Sequence, residues 1–370
     1  MMNSQNNNEL EILKEDSQDT ISKKKKMKKP VKILLWIAGI LVFIIIAILI
    51  TFWVLHTSGK NKLLDYKDIQ ISLPQEMIDS TQADGKTLYY KGEKYTLNEN
   101  ITNILCMGVD KKDFTQTNEF GYGTNGQADS IFLVAFDTVT AKTNVISVSR
   151  ETMVDVDTYS SGGEFTGTKK EQICLAYFYG NDEQKSCNNV KKSISRYFYG
   201  LPVNSYFSFD FQAVSIINDA VGGVTVTPTQ DVLIAEKKYA KAGQAVTLNG
   251  SEALKYVRTR DEDINANNRR MERQVQYVKA LSNIVTLKTK DDILTPVHLF
   301  NKMGNNVVSD IDTSKITYLT ECFVKNNLSG DINFVSIEGA TSMGEEYVEF
   351  KEDKTKFFEL ILSVFYNKAQ

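Results

Sequence analysis

Residues 130–151 read SIFLVAFDTVTAKTNVISVSRE. Two apolar stretches, SIFLVAFD at 130–137 and TNVISVSRE at 143–151, flank a short polar connection at Thr138–Lys142. Both are rich in β-branched and aromatic residues and too short for a buried helix. They predict two buried strands joined by a turn. Upstream, NILCMGVD at 103–110 is a third run of this kind, ending in Gly and Asp. Residues 111–128, KKDFTQTNEFGYGTNGQA, carry few apolar side chains and predict a long loop, a length that inside a domain usually marks function or mobility.

Working outward, helical spacing appears at Gln172–Tyr179, Val190–Tyr199, Phe211–Ala220, Gly250–Arg258, Met271–Ile284 and Thr355–Tyr366. Strands are predicted at Ser205–Phe211, at VTVTP from Val224 and at Asn333–Ile337, with residues 228–247 as a polar excursion. Gly222–Gly223 reads as a tight turn between a helix and a strand. Strands interleaved with helices around an apolar sheet predict an α/β fold, specifically an α-β-α sandwich.

The chain has 370 residues, 42% of them hydrophobic and 24% charged, a globular balance. Its two histidines, His56 and His298, leave little room for a His-based triad or metal centre. No CxxC or Cys/His cluster offers a zinc site. Net charge is −3, yet residues 1–32 hold eight Lys against five acids, so the rest of the chain is acidic. That argues against nucleic-acid binding, which needs a basic face.

Ile33–Leu55, ILLWIAGILVFIIIAILITFWVL, is 23 residues without a charge, with Trp36 and Trp53 near its ends. It is long enough to cross a bilayer and lacks a convincing cleavage site, so it reads as an uncleaved anchor. Seven Lys between Lys23 and Lys32 precede it, which places the N-terminus in the cytoplasm and the remainder outside. The Lys run reads as a topology signal, or as that plus a contact with anionic lipid. The expected organisation is a disordered cytoplasmic tail at 1–32, a single-pass membrane anchor at 33–55, a stalk and accessory segment with room for a short strand or helix at 56–96, and an extracellular catalytic domain at 97–370.

Three polar residues stand at strand ends: Asp110 after the first strand, Asp129 opening the second, Arg150 closing the third. If the strands are neighbours, these side chains converge at one edge. Two carboxylates suit a hard cation, Mg²⁺ or Mn²⁺, that bridges phosphate oxygens. A nearby Arg suits bidentate phosphate binding. The plainer reading makes both Asp ordinary turn or cap residues. A second cluster is basic: Arg258 and Arg260 in YVRTR, then Arg270, Arg273 and Gln274 in RRMERQ. The last three share a helix face at i, i+3 and i+4. They read either as a solvated charged face or as the rim of the apolar stripe Met271, Val275, Val278 and Leu281. The second reading fits an amphiphile with a phosphate head.

The order NILCMGVD, QADSIFLV, ISVSRET, DAVGGVTV, LNGSEALKYVRTR and RRMERQ resembles the LytR–CpsA–Psr family. The resemblance covers roughly residues 97–285. It implies an extracytoplasmic phosphotransferase that moves a cell-wall glycopolymer, of teichoic acid or capsule type, from a polyprenyl-pyrophosphate carrier onto peptidoglycan. It also implies an apolar tunnel for the polyprenyl chain. By position, Asp110 and Asp129 match the family's metal-binding acids and Arg150 its pyrophosphate-binding arginine. Arg258, Arg260, Arg270, Arg273 and Gln274 match its YxRxR and RxxRQ motifs at the pyrophosphate. Departures are Gln172 and Cys174 in place of the Lys and Asn of KLNxAY, Asn267 for an Asp and Gln127 for an Arg. Two other classes stand beside this reading: a non-catalytic envelope regulator that binds polyprenyl-phosphate lipids, and a polyprenyl-pyrophosphatase.

Tyr177, Tyr179, Tyr197, Phe198 and Tyr199 read equally as core or tunnel wall. Of the four cysteines, Cys106 and Cys322 lie in apolar stretches. Cys174 and Cys187 flank the polar segment NDEQKS outside the membrane, and a chain reversal there predicts a Cys174–Cys187 disulfide.

Overall fold

The computed structural model describes residues 29–66, 69–81, 85–111, 114, 126–260, 263–326 and 331–369. It divides into two units, Met1–Val54 and Leu55–Gln370. Helix α1 (Lys29–Leu63) supplies all that is described of the first unit. The expected anchor, 33–55, falls within it. Ile40–Leu63 is long and apolar enough to cross a membrane by length and composition. Most of the loop expected at 111–128 lies outside the described residues.

The second unit is built on a six-stranded sheet. Its strands are β4 (Ile101–Val109), β5 (Ala128–Asp137), β6 (Thr143–Val148), β9 (Ser205–Phe209), β14 (Val307–Ser309) and β15 (Ile332–Ser336). Their order is β14-β9-β4-β5-β6-β15. β4 and β5 pair antiparallel, as do β5 and β6, whereas β9 joins β4 and β15 joins β6 in parallel. The turn at 138–142 closes with Asp137 accepting from the backbone of Val139 and Thr140, and Ala141 takes a positive φ of 57°.

Period-2 alternation divides the sheet's side chains between two environments. Leu105, Met107, Ile131, Leu133, Ile146 and Val148 are buried in the main core. They meet Val190 and Ile194 of α3 (Glu183–Tyr197) and Phe358 and Ile361 of α9 (Lys354–Phe365). The alternate residues Cys106, Phe132, Val134, Val145, Phe207 and Phe334 line a cavity. Across that cavity stand α4 (Phe211–Ala220), α5 (Gly250–Arg258) and α6 (Ala266–Asp291). Thus an apolar sheet is covered by helices on both faces, which is why its strands read as near-continuous apolar runs. The mixed α/β class agrees with the sequence reading.

Local signals explain several helices. Asp210 caps α4, accepting from Ala213 N–H. Asn249 and Glu252 form a capping box on α5. After α4, Gly222 and Gly223 adopt φ of 90° and 95°, and a Cβ on Gly223 would stand 2.9 Å from Thr247 Cγ2. The turn therefore requires glycine.

Four expectations fail. The segment 56–96, read as a stalk and accessory segment, does hold short strands, but it is packed into the fold and not a stalk. β1 (Ser80–Thr81), β2 (Thr87–Tyr90) and β3 (Glu93–Leu97) form a sheet with the C-terminal strand β18 (Tyr366–Lys368). Leu73, Ile78, Leu88 and Leu97 are buried in the main core. The last turns of α1 dock on α8 (Thr313–Lys325): Lys62 Nζ meets Asp312 at 2.5 Å, and a Cβ on Gly59 would collide with Ser314 O. The polarity of 56–96 reflects a thin sheet with one wet face.

The helix expected at 172–179 shrinks to α2 (Leu175–Phe178), because β8 (Phe165–Gln172) pairs with β7 (Met153–Tyr159) up to Gln172. α3 starts at Glu183, seven residues before the helix expected from Val190, on an Asp182 cap. The disulfide expected between Cys174 and Cys187 is not formed; both are buried free thiols. Cys174 Sγ lies 3.7 Å from Gln172 Oε1 at the end of β8, while Cys187 sits inside α3 beside Tyr177 and Ser208. Burial pushes the Cys174 thiol up to about 11.

Candidate active site

The ends of β4 and β5 meet at the mouth of the cavity. Val109 pairs with Ala128, and Asp110 N–H donates to Gln127 O at 2.9 Å. This register brings Asp110 and Asp129 to the same rim, and both line the cavity. Gly108, one position inside, keeps the wall thin: a Cβ there would press on Phe209 and Ser130 at 3.2 Å.

Asp129 is the hub. Its Oδ1 pairs with Arg150 Nη1, and its Oδ2 accepts from Arg260 Nη2 at 2.7 Å and Arg270 Nη1 at 3.3 Å. Arg270 Nη2 also donates to Asp129 O at 3.1 Å and to Asn267 Oδ1 at 2.7 Å. Arg150 Nη2 donates to Gln127 Oε1 at 2.5 Å. Residues from β5, the end of β6, the segment after α5 and the start of α6 thus share one carboxylate. Arg270 is buried, its Nε has no hydrogen-bond partner among the described residues, and burial lowers its pKa to about 10. It stays charged at neutral pH. Three guanidinium groups outnumber Asp129 and the neighbouring Glu151, and the excess of positive charge favours an anionic ligand.

Arg258 lies elsewhere on the rim. Its guanidinium stacks 3.6 Å from the ring centroid of Phe211, the first residue of α4, and lines the cavity. Aromatic stacking holds the plane of an Arg while leaving its N–H groups available.

Arg273 departs from the expected role. It is buried and donates Nε to Tyr256 O at 3.2 Å and Nη2 to Thr259 O. Gln274 Nε2 donates to Val257 O at 3.2 Å. Tyr256 and Val257 belong to the last turn of α5 and Thr259 is its C-cap, positions whose carbonyls lack partners within the helix. Arg273 is absent from the cavity lining, whereas Gln274 borders it. The RRMERQ segment therefore splits: Arg270 faces the carboxylate hub, and Arg273 caps the helix that carries Arg258 and Arg260. Sequence spacing put them on one face, but could not tell which neighbour each met.

Arg150, too, sits behind Asp129 and not among the lining residues. The residues missed by motif reading are Phe211, which has no polar signature, and Glu151, adjacent to Arg150. Asn267, a departure from the family pattern, serves as a bridge: its Nδ2 donates to Ser149 Oγ at 3.2 Å while its Oδ1 holds Arg270.

Behind this charged rim the cavity is apolar, with a volume of about 650 Å³. Phe132, Val134, Phe207, Phe209, Val278 and Leu281 form much of its wall. The five aromatics considered as tunnel wall, Tyr177, Tyr179, Tyr197, Phe198 and Tyr199, are not among the lining residues; Tyr177 and Phe198 are fully buried in the main core.

Among the described residues no group of three or more His, Cys, Asp and Glu could hold a metal. Asp110 and Asp129 on adjacent strands fit a cation that takes one or two carboxylates and completes its shell with substrate oxygens. Asp129 would offer Oδ1, which accepts from Arg150 alone and keeps a second lone pair, whereas Oδ2 already accepts twice.

Fold and cavity together define a mixed α/β domain with an amphiphile-shaped pocket, cationic at one end and apolar along its length. The chain belongs to the LytR_cpsA_psr family, which it matches over residues 69–361. It is 26% identical to the polyisoprenyl-teichoic acid–peptidoglycan teichoic acid transferase TagU of Oceanobacillus iheyensis, covering 86% of this chain and 89% of that one. Its fold is similar to the crystal structure of Bacillus subtilis TagV, with TM-score 0.55 and 23% identity over 72% of this chain and 97% of that one. It is also similar to TagT bound to LI-WTA, with TM-score 0.51 and 19% identity over 72% and 89%.

Proposed function

We propose that this protein transfers a glycopolymer from a polyprenyl-pyrophosphate carrier to peptidoglycan. The observation that carries the reading is the joining of an apolar cavity to a rim of Asp110, Asp129, Arg258, Arg260 and Arg270. A prenyl tail fits the wall and a pyrophosphate fits the rim. The name of the similar transferase from Oceanobacillus iheyensis supports teichoic acid as the polymer class.

In this reading Arg260 and Arg270 turn from Asp129 towards the pyrophosphate oxygens, and Arg258 binds them from its perch on Phe211. Arg150 holds Asp129 in place and adds to the positive field. Charge neutralisation and positioning supply most of the catalysis in phosphoryl transfer. An acceptor sugar hydroxyl attacks the sugar-linked phosphorus, and polyprenyl phosphate leaves with the bridging oxygen. Asp110 and Asp129 would hold Mg²⁺ or Mn²⁺, which when bound neutralises phosphate charge. The anchor would tether the domain to the outer face of the membrane, where such carriers reside, with the N-terminus inside.

The test is binding of prenyl pyrophosphates of increasing chain length to the detergent-solubilised protein. Affinity should rise with chain length until the cavity is full, at up to about 0.8 kcal/mol per buried methylene. The matching prenyl alcohols should bind at least about ten-fold more weakly, for loss of charge-assisted bonds. Affinity independent of both tail and pyrophosphate would refute the assignment.

A further inference from the structure

We infer that Glu151 takes the proton from the acceptor hydroxyl, from a place beside the arginine cluster. The assignment rests on the phosphotransfer reading and names a part of that site which the family motifs leave unassigned.

Both oxygens of Asp129 are committed to guanidinium groups. Asp210 lines the cavity but spends Oδ1 on Ala213 N–H and Oδ2 on Asn306 Nδ2 and Phe114 N–H. Asp263 is paired with Arg269. Asp110 lines the cavity and is the second cation ligand in the proposed function. Glu151 differs from all of them. Its Oε2 is buried and, among the described residues, has no hydrogen-bond partner. Its backbone is pinned on both sides: its N–H donates to Ser149 Oγ at 3.3 Å, and its C=O accepts from Phe350 N–H at 2.9 Å.

The position suits the task. The prenyl tail occupies the cavity, so a bulky acceptor reaches the phosphorus from outside it. Glu151 follows Arg150 directly and does not line the cavity. Oε2 is shielded in the free protein; once Arg260 and Arg270 turn to the pyrophosphate, an incoming hydroxyl would give it the donor it lacks. As the hydroxyl oxygen bonds to phosphorus, its proton passes to Oε2 and the electron pair of the breaking P–O bond leaves with polyprenyl phosphate. The proton then returns to solvent. Burial raises the Glu151 carboxyl, opposed by Arg150, Arg270, an Asn267 hydrogen bond and Arg260; the Cys174 thiol also faces it. A raised carboxyl is a better base at neutral pH than an ordinary one.

The experiment compares wild type with Glu151→Gln and Glu151→Asp in transfer from a labelled polyprenyl-pyrophosphate glycopolymer to peptidoglycan oligomers. Prenyl pyrophosphate binding is measured on the same samples. Wild-type kcat should fall as pH drops through the Glu151 pKa. Glu151→Gln should lose about 100-fold or more in kcat, lose that acid limb, and keep donor affinity within about two-fold. Glu151→Asp should retain part of the rate. A wild-type rate or an unchanged acid limb in Glu151→Gln overturns the assignment. So does a loss of donor affinity that parallels the loss of rate, because the residue would then act on the arginine cluster alone. No transfer by wild type would instead refute the phosphotransfer reading, and the assignment with it.

Discussion

Arg273 on α6 donates to the carbonyl of Thr259, the residue between Arg258 and Arg260. One arginine thus fixes the backbone that presents two others. Arg273→Ala should lower stability by roughly 2–4 kcal/mol, since it strips charge-assisted bonds from buried carbonyls. It should lower kcat by about 10- to 100-fold through misplacement of Arg258 and Arg260. Arg273→Lys should recover little, because an ammonium cannot span both carbonyls. Thermal unfolding and transfer kinetics check this. An unchanged melting temperature with collapsed donor affinity would mean that Arg273 touches the pyrophosphate itself.

Asp129→Asn should leave Arg150, Arg260 and Arg270 without their shared counter-charge. Breaking a largely buried ion cluster costs about 3–5 kcal/mol, less here because Arg260 is exposed. Added inorganic pyrophosphate should restore more of the melting temperature in the variant than it adds to wild type. Equal shifts would place the anion elsewhere. If Asp129 is also a cation ligand, the Mg²⁺ dependence of transfer should flatten in the variant.

Val134→Trp should fill the cavity from the β5 wall. Long-chain prenyl pyrophosphates should lose at least about ten-fold in affinity, from the apolar area that no longer fits. Inorganic pyrophosphate should bind as before. A competition assay across chain lengths reads both, and parallel losses would contradict separate tail and head subsites.

Asp157 ties the β7–β8 hairpin to α3. Burial alone would raise its carboxyl, but bonds from Arg196, Lys192 and Thr168 outweigh it and lower the value from 3.8 to about 2. A carboxyl lowered by folding stabilises the protein above its unfolded value and loses that contribution as pH falls through the folded one. Asp157→Asn should therefore cost roughly 1–2 kcal/mol at pH 7, allowing for solvent around the two cations, and nothing measurable near the low end of that window. Chemical unfolding at several pH values tests it.

Much of this fold was legible because β4, β5, β6 and β9 are buried on both faces and composed accordingly. β8, FTGTKKEQ, is exposed along most of its length and carries no such signal. Its polarity let the following residues pass for a longer helix, and the disulfide expectation rested on that error. At the site, Asp129, Arg260 and Arg270 were legible by position, because strand ends and helix starts gather at one edge of a sheet. The capping role of Arg273, the stacking of Arg258 on Phe211 and the free oxygen of Glu151 depend on contacts between segments far apart in sequence. Spacing within one segment does not contain them.

The most direct test of the central claim is product analysis with a donor labelled separately in the glycopolymer and in the prenyl chain. Incubated with peptidoglycan oligomers, the purified protein should place the glycopolymer on peptidoglycan through a phosphodiester and release the prenyl chain as a monophosphate. Arg270→Ala should yield neither product. Release of free glycopolymer phosphate with no peptidoglycan adduct would show attack by water and contradict the account.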